Sequence, residues 1–203
     1  MRYRRPDAAS DSTSRALTAQ HLVRVCEPVD LATAAQDGLD ALDGEIASRG
    51  LAVHADLRPA LAAGDAALLE RLVSNLVDNA VTHNRDGGWV SVRTEPDGEH
   101  AALMVTNTGP PVDPAEVPRL FEPFHRADGP ARTNGRGLGL GLSIVRAVAD
   151  AHGADVAVTP RPDGGLVVTV RLPGVSAGGA PHRPLPGGVP DRPLPGVSAH
   201  PYT

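Results

Sequence analysis

The 203-residue chain contains no lysine, because all 19 of its basic residues are arginine. A P-loop needs a lysine directly after its glycines, and a protein kinase of the eukaryotic type needs a strand lysine to hold the α- and β-phosphates. Neither kind of phosphate site can therefore be built from this sequence.

Aromatic residues, cysteine and long apolar runs are also scarce. Aromatics make up 2% of the chain and the net charge is −5, so we expect no nucleic-acid partner, which would need stacking platforms or a basic surface. The single cysteine, Cys26, excludes an internal disulfide and is compatible with a reducing cytoplasm. No apolar run approaches the roughly 20 residues that span a bilayer. We therefore expect a soluble, cytoplasmic chain without a membrane segment.

Composition divides the chain into three parts. Residues 1–27 begin polar and rich in Ser and Thr, and residues 28–173 alternate helix and strand patterns. Residues 174–203 are rich in Pro and Gly, and "LPGVSA" occurs at 172–177 and again at 194–199. Such a tail buries too little side chain to offset its ordering entropy, so we predict that it is disordered.

The middle part predicts helices beside hairpins. "DLATAAQDGLDALDGEIASRG" is typical of a helix that ends at Gly50, and "LAVHADL" of a strand. Two hairpins are predicted, one from "WVSVRTE" and "ALMVTN" and one from "VAVTP" and "LVVTVRL". This pattern favours an α/β (α+β) two-layer sandwich with a mixed, largely antiparallel sheet.

The helix that follows Asp65, its predicted N-cap, has two distinct faces. At 100° per residue, the apolar face holds Leu69, Val73, Leu76, Val77 and Ala80. The other face holds Asn75, Asn79, Thr82 and His83. Asparagine is a poor residue for a helix interior. Two on one face indicate either solvent exposure or amide oxygens that bind a hard cation such as Mg²⁺.

The stretch "NGRGLGLGLSIVRAV", residues 134–148, places four glycines in seven positions directly before a predicted helix that stops at Gly153. A helix N-terminus offers free N–H groups and partial positive charge, so an anion such as phosphate is the expected guest. The alternative is a flexible loop before an ordinary helix.

Four motifs together resemble a known family. "NLVDNAVTHN", "NTGPPV", "LFEPFHR" and "GLGLGLSIV" are similar, in order and spacing, to the N, G1, F and G2 boxes of the ATP-binding catalytic domain of sensor histidine kinases. The resemblance covers about residues 28–173. It implies the Bergerat ATP-binding fold, in which helices cover a mixed sheet and the nucleotide lies beneath a mobile lid.

The resemblance also implies roles for single residues. Asn79 would be the Mg²⁺ ligand and Asn75 would lie near the γ-phosphate, as the two catalytic positions. His83 and Arg85 would border the nucleotide. Asn107 would read the adenine.

The other implied ATP-binding positions are glycines and apolar residues. Gly109 would let the base approach. Phe121 and Phe124 would anchor the lid, with ordinary core packing as the alternative for both. The phosphates would be wrapped by Gly137, Leu138, Gly139, Leu140, Gly141 and Leu142.

The sequence departs from the family pattern in its G1 box and at Asn75. Asn107 stands where the family has Asp, and Pro111 where it has a second Gly. A neutral amide still accepts a hydrogen bond, though more weakly than a carboxylate. ATPases that resemble this family use a Glu at the place of Asn75. An amide cannot act as that base, so we predict phosphoryl transfer rather than steady hydrolysis.

The acceptor histidine motif of the family, H-[DE]-L-R-x-P, does not occur, and His21 lacks the acidic neighbour. Residues 1–27 would hold at most a remnant of a dimerisation helix. We therefore predict a histidine-kinase catalytic domain that uses ATP and Mg²⁺, with the histidine-bearing domain supplied in trans or lost and a response regulator as partner. The alternatives are a serine kinase of the anti-sigma-factor type and a non-catalytic nucleotide-binding or interaction module.

Overall fold

The computed structural model describes residues 27–123 and 140–175. The strands are β1 Glu27–Asp30, β2 Ala52–Leu57, β3 Leu61–Gly64, β4 Trp89–Asp97, β5 His100–Asn107, β6 Asp155–Pro160 and β7 Leu166–Pro173. The α-helices are α1 Leu31–Asp40, α2 Asp43–Ser48, α3 Ala66–Thr82 and α4 Gly141–His152. A 3₁₀ helix covers Pro114–Phe121.

The main sheet is mixed and largely antiparallel, as predicted. Its five strands lie in the order β2-β4-β5-β7-β6, and among them only β2 and β4 pair in parallel. The two predicted hairpins are confirmed as β4–β5 and β6–β7. Side chains alternate along β5 between half-buried and buried, which indicates that one face of the sheet carries the core.

The helices cover the buried face of the sheet. α3 contacts both α1 and α4, and its predicted apolar face is confirmed. The buried residues of α3 are Leu69, Leu72, Val73, Leu76, Val77, Ala80 and Val81. They pack against buried valines and leucines of β4, β5 and β7, so the core is mainly aliphatic.

The predicted helix ends are confirmed. The Asp65 carboxylate accepts a hydrogen bond from the Leu68 amide at 3.0 Å, which caps the N-terminus of α3. Gly153 ends α4 in the left-handed conformation with φ of 63°. These local signals fix the two ends of α3 and α4 that lie away from the candidate site.

The prediction of one helix up to Gly50 is wrong, because the segment forms two helices. Leu42 has non-helical backbone angles and separates α1 from α2, and the Leu42 amide bonds to the Leu39 carbonyl at 3.0 Å. Leu39 and Ile46 are both buried, one in each helix, and lie seven residues apart, a spacing that also places two residues on one face of a continuous helix. The helical period alone therefore does not reveal the break.

Sequence analysis also missed the short sheet of β1 and β3. These four-residue strands pair antiparallel. The Asp30 carboxylate oxygen Oδ1 accepts bonds from the Ala32 and Ala60 amides, both at 3.0 Å, so one side chain caps α1 and holds the segment before β3.

The chain ends that the structure describes are bonded to the body of the domain. Glu27 pairs with Gly64, and the Gly174 and Val175 amides donate to the Glu99 and Leu61 carbonyls at 2.8 and 3.1 Å. The rest of the predicted N-terminal segment and tail lies outside the described residues, so the three-part division stays a prediction. Within residues 27–123 and 140–175, no helix combines the length and apolar character needed to cross a bilayer.

Replacing either of two glycines by alanine should change the free energy of unfolding, but in opposite directions. A Cβ at Gly64 would lie 2.5 Å from Cδ2 of His152, whose ring is held by bonds to Val148 and Asp65, whereas nothing lies within 4 Å of a Cβ at Gly44. We expect Gly64→Ala to lower the free energy of unfolding by about 2 kcal/mol. We expect Gly44→Ala to raise it by about 0.5 kcal/mol. Urea unfolding followed by the fluorescence of Trp89, the one tryptophan, measures both changes, and equal losses would contradict the packing described.

Candidate nucleotide site

The polar face of α3 meets the N-terminus of α4. Asn75 and Asn79 are half-buried rather than fully exposed. A Cβ at Gly141, the first residue of α4, would lie 3.3 Å from Oδ1 of Asn79 and 4.0 Å from the Asn75 carbonyl oxygen. Gly141 therefore allows the two helices to approach closely at the predicted magnesium ligand.

The start of α4 is suited to bind an anion. Its N-cap residue Leu140 makes no side-chain cap bond, and no acidic residue lies in the first turn. The Leu140 carbonyl accepts bonds from the Ile144 amide and the Ser143 hydroxyl, both at 2.9 Å. The first amides of a helix have no partner within the helix, and they carry its positive dipole end. This end lies beside Asn79, and Leu142 is buried beneath it.

Asn84 connects the end of α3 to β4 and to the segment after β5. Its Nδ2 donates to the Ala80 and Trp89 carbonyls, both at 3.0 Å. Its Oδ1 accepts from the Arg85 amide at 2.9 Å and from the Thr108 hydroxyl at 2.6 Å. All four hydrogen-bonding positions of the buried amide are thus used.

Sequence analysis did not single out Asn84, although it stands at the end of the quoted N-box motif. Thr108 was missed as well: its hydroxyl oxygen accepts from the Trp89 amide at 2.8 Å and is buried with Asn84. A polar residue directly after a predicted helix is a common signal for a helix end, so the position of Asn84 could have been found. Its distant partner Thr108 could not.

Asn107, the predicted adenine reader, is buried at the end of β5. Its Nδ2 donates to the Thr108 carbonyl at 2.8 Å. This bond fixes the orientation of the amide, because only the nitrogen can donate. Oδ1 is therefore the atom that can accept a hydrogen bond from an amino group such as that of adenine.

Gly109 lies where three segments of backbone meet. A Cβ there would lie 2.7 Å from the His83 carbonyl oxygen and 3.4 Å from Cα of Gly165 in the β6–β7 turn. The protein's own backbone thus requires glycine at this position. The approach of a base to Gly109 stays a prediction.

Arg161 joins the β6–β7 turn to the same region. Its Nη1 donates to the Gly164 carbonyl at 3.1 Å and to the Asn107 carbonyl at 3.4 Å. Its guanidinium carbon lies 4.5 Å from the centre of the Trp89 ring, which favours a cation–π contact. Trp89 is therefore packed directly beside the predicted adenine end of the site.

The remaining predicted residues fall into two groups. His83 is half-buried at the C-terminus of α3, and Arg85 is exposed two residues later. Phe121 is half-buried against the core, with Arg146 above its ring at 5.7 Å, which fits the packing role that was left open for it. Phe124, Gly137, Leu138, Gly139 and the predicted lid lie outside the described residues.

The donor set near Asn79 fits a magnesium ion bound mainly through substrate. Among residues 27–123 and 140–175, no group of three His, Cys, Asp or Glu side chains is placed to hold a metal. Asn79 offers a neutral amide oxygen. Mg²⁺ commonly takes one or two protein oxygens and fills its other positions with phosphate and water.

Residues 64–176 match the family described as Histidine kinase-, DNA gyrase B-, and HSP90-like ATPase. The chain belongs to this family. The solved mycobacterial sensor histidine kinase MprB is 32% identical, with a TM-score of 0.64 over 74% of this chain and 98% of that one. The nucleotide-free catalytic domain of the histidine kinase ThkA, at 23% identity, has a TM-score of 0.63 over 73% of this chain and 95% of that one, which supports the fold.

Sensor protein CutS of Streptomyces coelicolor is 47% identical over 148 residues, which are 72% of this chain and 36% of CutS. The chain thus spans about a third of the length of this curated relative. These comparisons confirm the resemblance to sensor histidine kinases and the Bergerat fold.

Replacing Asn84 should destabilise the domain far more than replacing Asn75. We expect Asn84→Ala to lower the free energy of unfolding by about 3 kcal/mol, because it leaves buried carbonyl and hydroxyl groups unpaired. Asn75 has a local bond from Nδ2 to the Arg71 carbonyl at 2.7 Å. We expect Asn75→Ala to change stability by less than about 0.5 kcal/mol, since alanine is the better helix former. Urea unfolding of both variants checks this, and similar values for the two would contradict the role given to Asn84.

Proposed function

We propose that this chain binds Mg·ATP between α3, α4 and the segment after β5, and transfers the γ-phosphoryl group to a histidine on another domain. The observation that carries the proposal is the uncapped N-terminus of α4 placed against Asn79. Phosphate-binding amides and an oxygen ligand for a cation lie together there. Such a pair suits a metal-bound polyphosphate.

Different groups of the protein would bind the metal ion and the phosphates of the nucleotide. Asn79 would hold the ion through Oδ1, and the first amides of α4 would hydrogen-bond the phosphates. His83 and Arg85, at and just after the end of α3, would border the nucleotide. When bound, Mg²⁺ would neutralise charge that develops on the phosphates.

The site lacks a general base at Asn75, because a carboxamide does not take up a proton near neutral pH. Water is therefore not activated there, and transfer to a stronger nucleophile such as an imidazole is favoured over hydrolysis. The chain's own contribution is to position the phosphates and stabilise their charge.

The partners follow from the family and are part of the proposal. CutS and MprB are named as sensor proteins, so we expect a histidine-bearing dimerisation domain, supplied in trans, and a response regulator. The use of ATP supports the cytoplasmic location expected from the sequence. The division into residues 1–27, 28–173 and 174–203 belongs to the same proposal.

Loss of the Asn79 amide should remove the magnesium dependence of nucleotide binding. We expect the parent protein to bind AMPPNP at least about tenfold more tightly with Mg²⁺ than with EDTA, because the ion links Asn79 to the phosphates. Asn79→Ala should bind equally weakly in both conditions. Calorimetric titration measures the four dissociation constants, and Ser74→Ala, on a neighbouring half-buried turn of α3, is the matched control.

The kind of phosphate formed separates the proposed function from its alternatives. With radiolabelled ATP and a histidine-bearing dimerisation domain of a sensor kinase, we expect acid-labile, base-stable label on that domain. Acid-stable label on a protein substrate would indicate a serine kinase. Nucleotide binding without any transfer to such acceptors would indicate a binding module.

Asn107 should make the site bind adenine nucleotides in preference to guanine nucleotides. Its Oδ1 would accept from the amino group of adenine, whereas guanine presents a carbonyl oxygen at the corresponding position. We expect Asn107→Ala to weaken binding of the ATP analogue by about tenfold and to leave the weaker GTP analogue nearly unchanged. Competition titrations check this result, and an equal loss for both nucleotides would contradict the reading role.

A further inference from the structure

Arg49 binds the backbone at the C-terminal end of α3. It follows α2, and its side chain is 22% exposed. Nη1 donates to the Val81 carbonyl at 2.5 Å and to the Thr82 carbonyl at 3.2 Å, and Nη2 donates to the Asn84 carbonyl at 2.6 Å. The guanidinium group thus binds three carbonyls at the point where the helix ends.

Two further contacts fix the guanidinium and the loop that it binds. Nε of Arg49 donates to the Asp86 carboxylate at 2.9 Å. The Arg49 carbonyl accepts from the Gly87 amide at 3.0 Å. Arg49 therefore contacts three of the six residues between α3 and β4, namely Asn84, Asp86 and Gly87.

A cation is favoured at this position for a general reason. The last carbonyls of a helix have no partner within it and carry the negative end of the helix dipole. An arginine satisfies several of them at once with its planar fork, which a lysine cannot do.

The residues that Arg49 binds flank His83 and Arg85, which are predicted to border the nucleotide. Thr82 and Asn84 lie on either side of His83, and Asn84 and Asp86 lie on either side of Arg85. The backbone from which His83 and Arg85 extend is thus held through its neighbours. A shift of about 1 Å in such a segment is enough to weaken a positioned contact strongly.

We propose that Arg49 is a positioning residue of the nucleotide site, which holds the loop after α3 so that His83 and Arg85 border the nucleotide. This inference rests on the proposed function. The bonds of Arg49 are separate from those of the Asn84 side chain, which binds the Ala80 and Trp89 carbonyls and Thr108 by itself.

The test compares Arg49→Gln with a matched surface control. Arg58 is 64% exposed and forms ion pairs with Asp56 and Glu95 away from this loop, so Arg58→Gln should bind nucleotide as the parent does. We expect Arg49→Gln to weaken Mg·AMPPNP binding by about tenfold. Calorimetric titration and the melting temperature are measured for each protein.

Repeating the substitution in a protein that lacks the His83 and Arg85 side chains distinguishes a positioning role from a merely structural one. In a protein that already carries His83→Ala and Arg85→Ala, Arg49→Gln should have no further effect on AMPPNP binding, because the groups it positions are gone. An equal tenfold loss in that background would overturn the proposal. Parent protein that binds no AMPPNP would instead contradict the proposed function.

Two other variants keep the test decisive if Arg49→Gln does not fold. Arg49→Lys keeps the charge but not the fork, so it should show the same loss of AMPPNP binding. Asp86→Asn keeps the three carbonyl bonds and removes the ion pair, so it should show a smaller loss in the same direction. Parent-like binding by Arg49→Lys would overturn the proposal.

Discussion

The arrangement of the candidate site depends on how α3 ends. The buried amide of Asn84 uses every donor and acceptor it has to join α3, β4 and Thr108, and Arg49 binds the Val81, Thr82 and Asn84 carbonyls of the same turn. Asn79 precedes this turn by one helical turn, and Asn107 follows β5 beside it. The predicted metal ligand and adenine reader are thus held in one rigid corner of the domain.

Charge at this corner comes from backbone dipoles and arginine rather than from lysine or a cluster of carboxylates. The uncapped start of α4 supplies positive potential beside two neutral asparagines. Such a site binds an anion mainly through amides, which need little reorganisation because the helix already fixes them. The absence of lysine from the sequence is therefore no obstacle to phosphate binding in this fold.

Local sequence signals predicted much of the fold, whereas contacts between distant segments became known only from the structure. The apolar face of α3, the Asp65 cap, the Gly153 stop and both hairpins depend on spacing or turn residues, and all are confirmed. The break at Leu42 and the β1–β3 pair depend on packing partners. The same holds for Arg49, which is 35 residues from Asn84, and for Thr108, which is 24 residues from it.

Hydrogen–deuterium exchange with and without Mg·AMPPNP tests most directly whether this corner is the nucleotide site. The account predicts slower exchange for the amides of residues 75–85, residues 107–109 and the first turn of α4. Exchange in β1, which pairs next to the opposite end of α3, should not change. Protection elsewhere with none in these three segments, or no change at saturating nucleotide, would contradict the account.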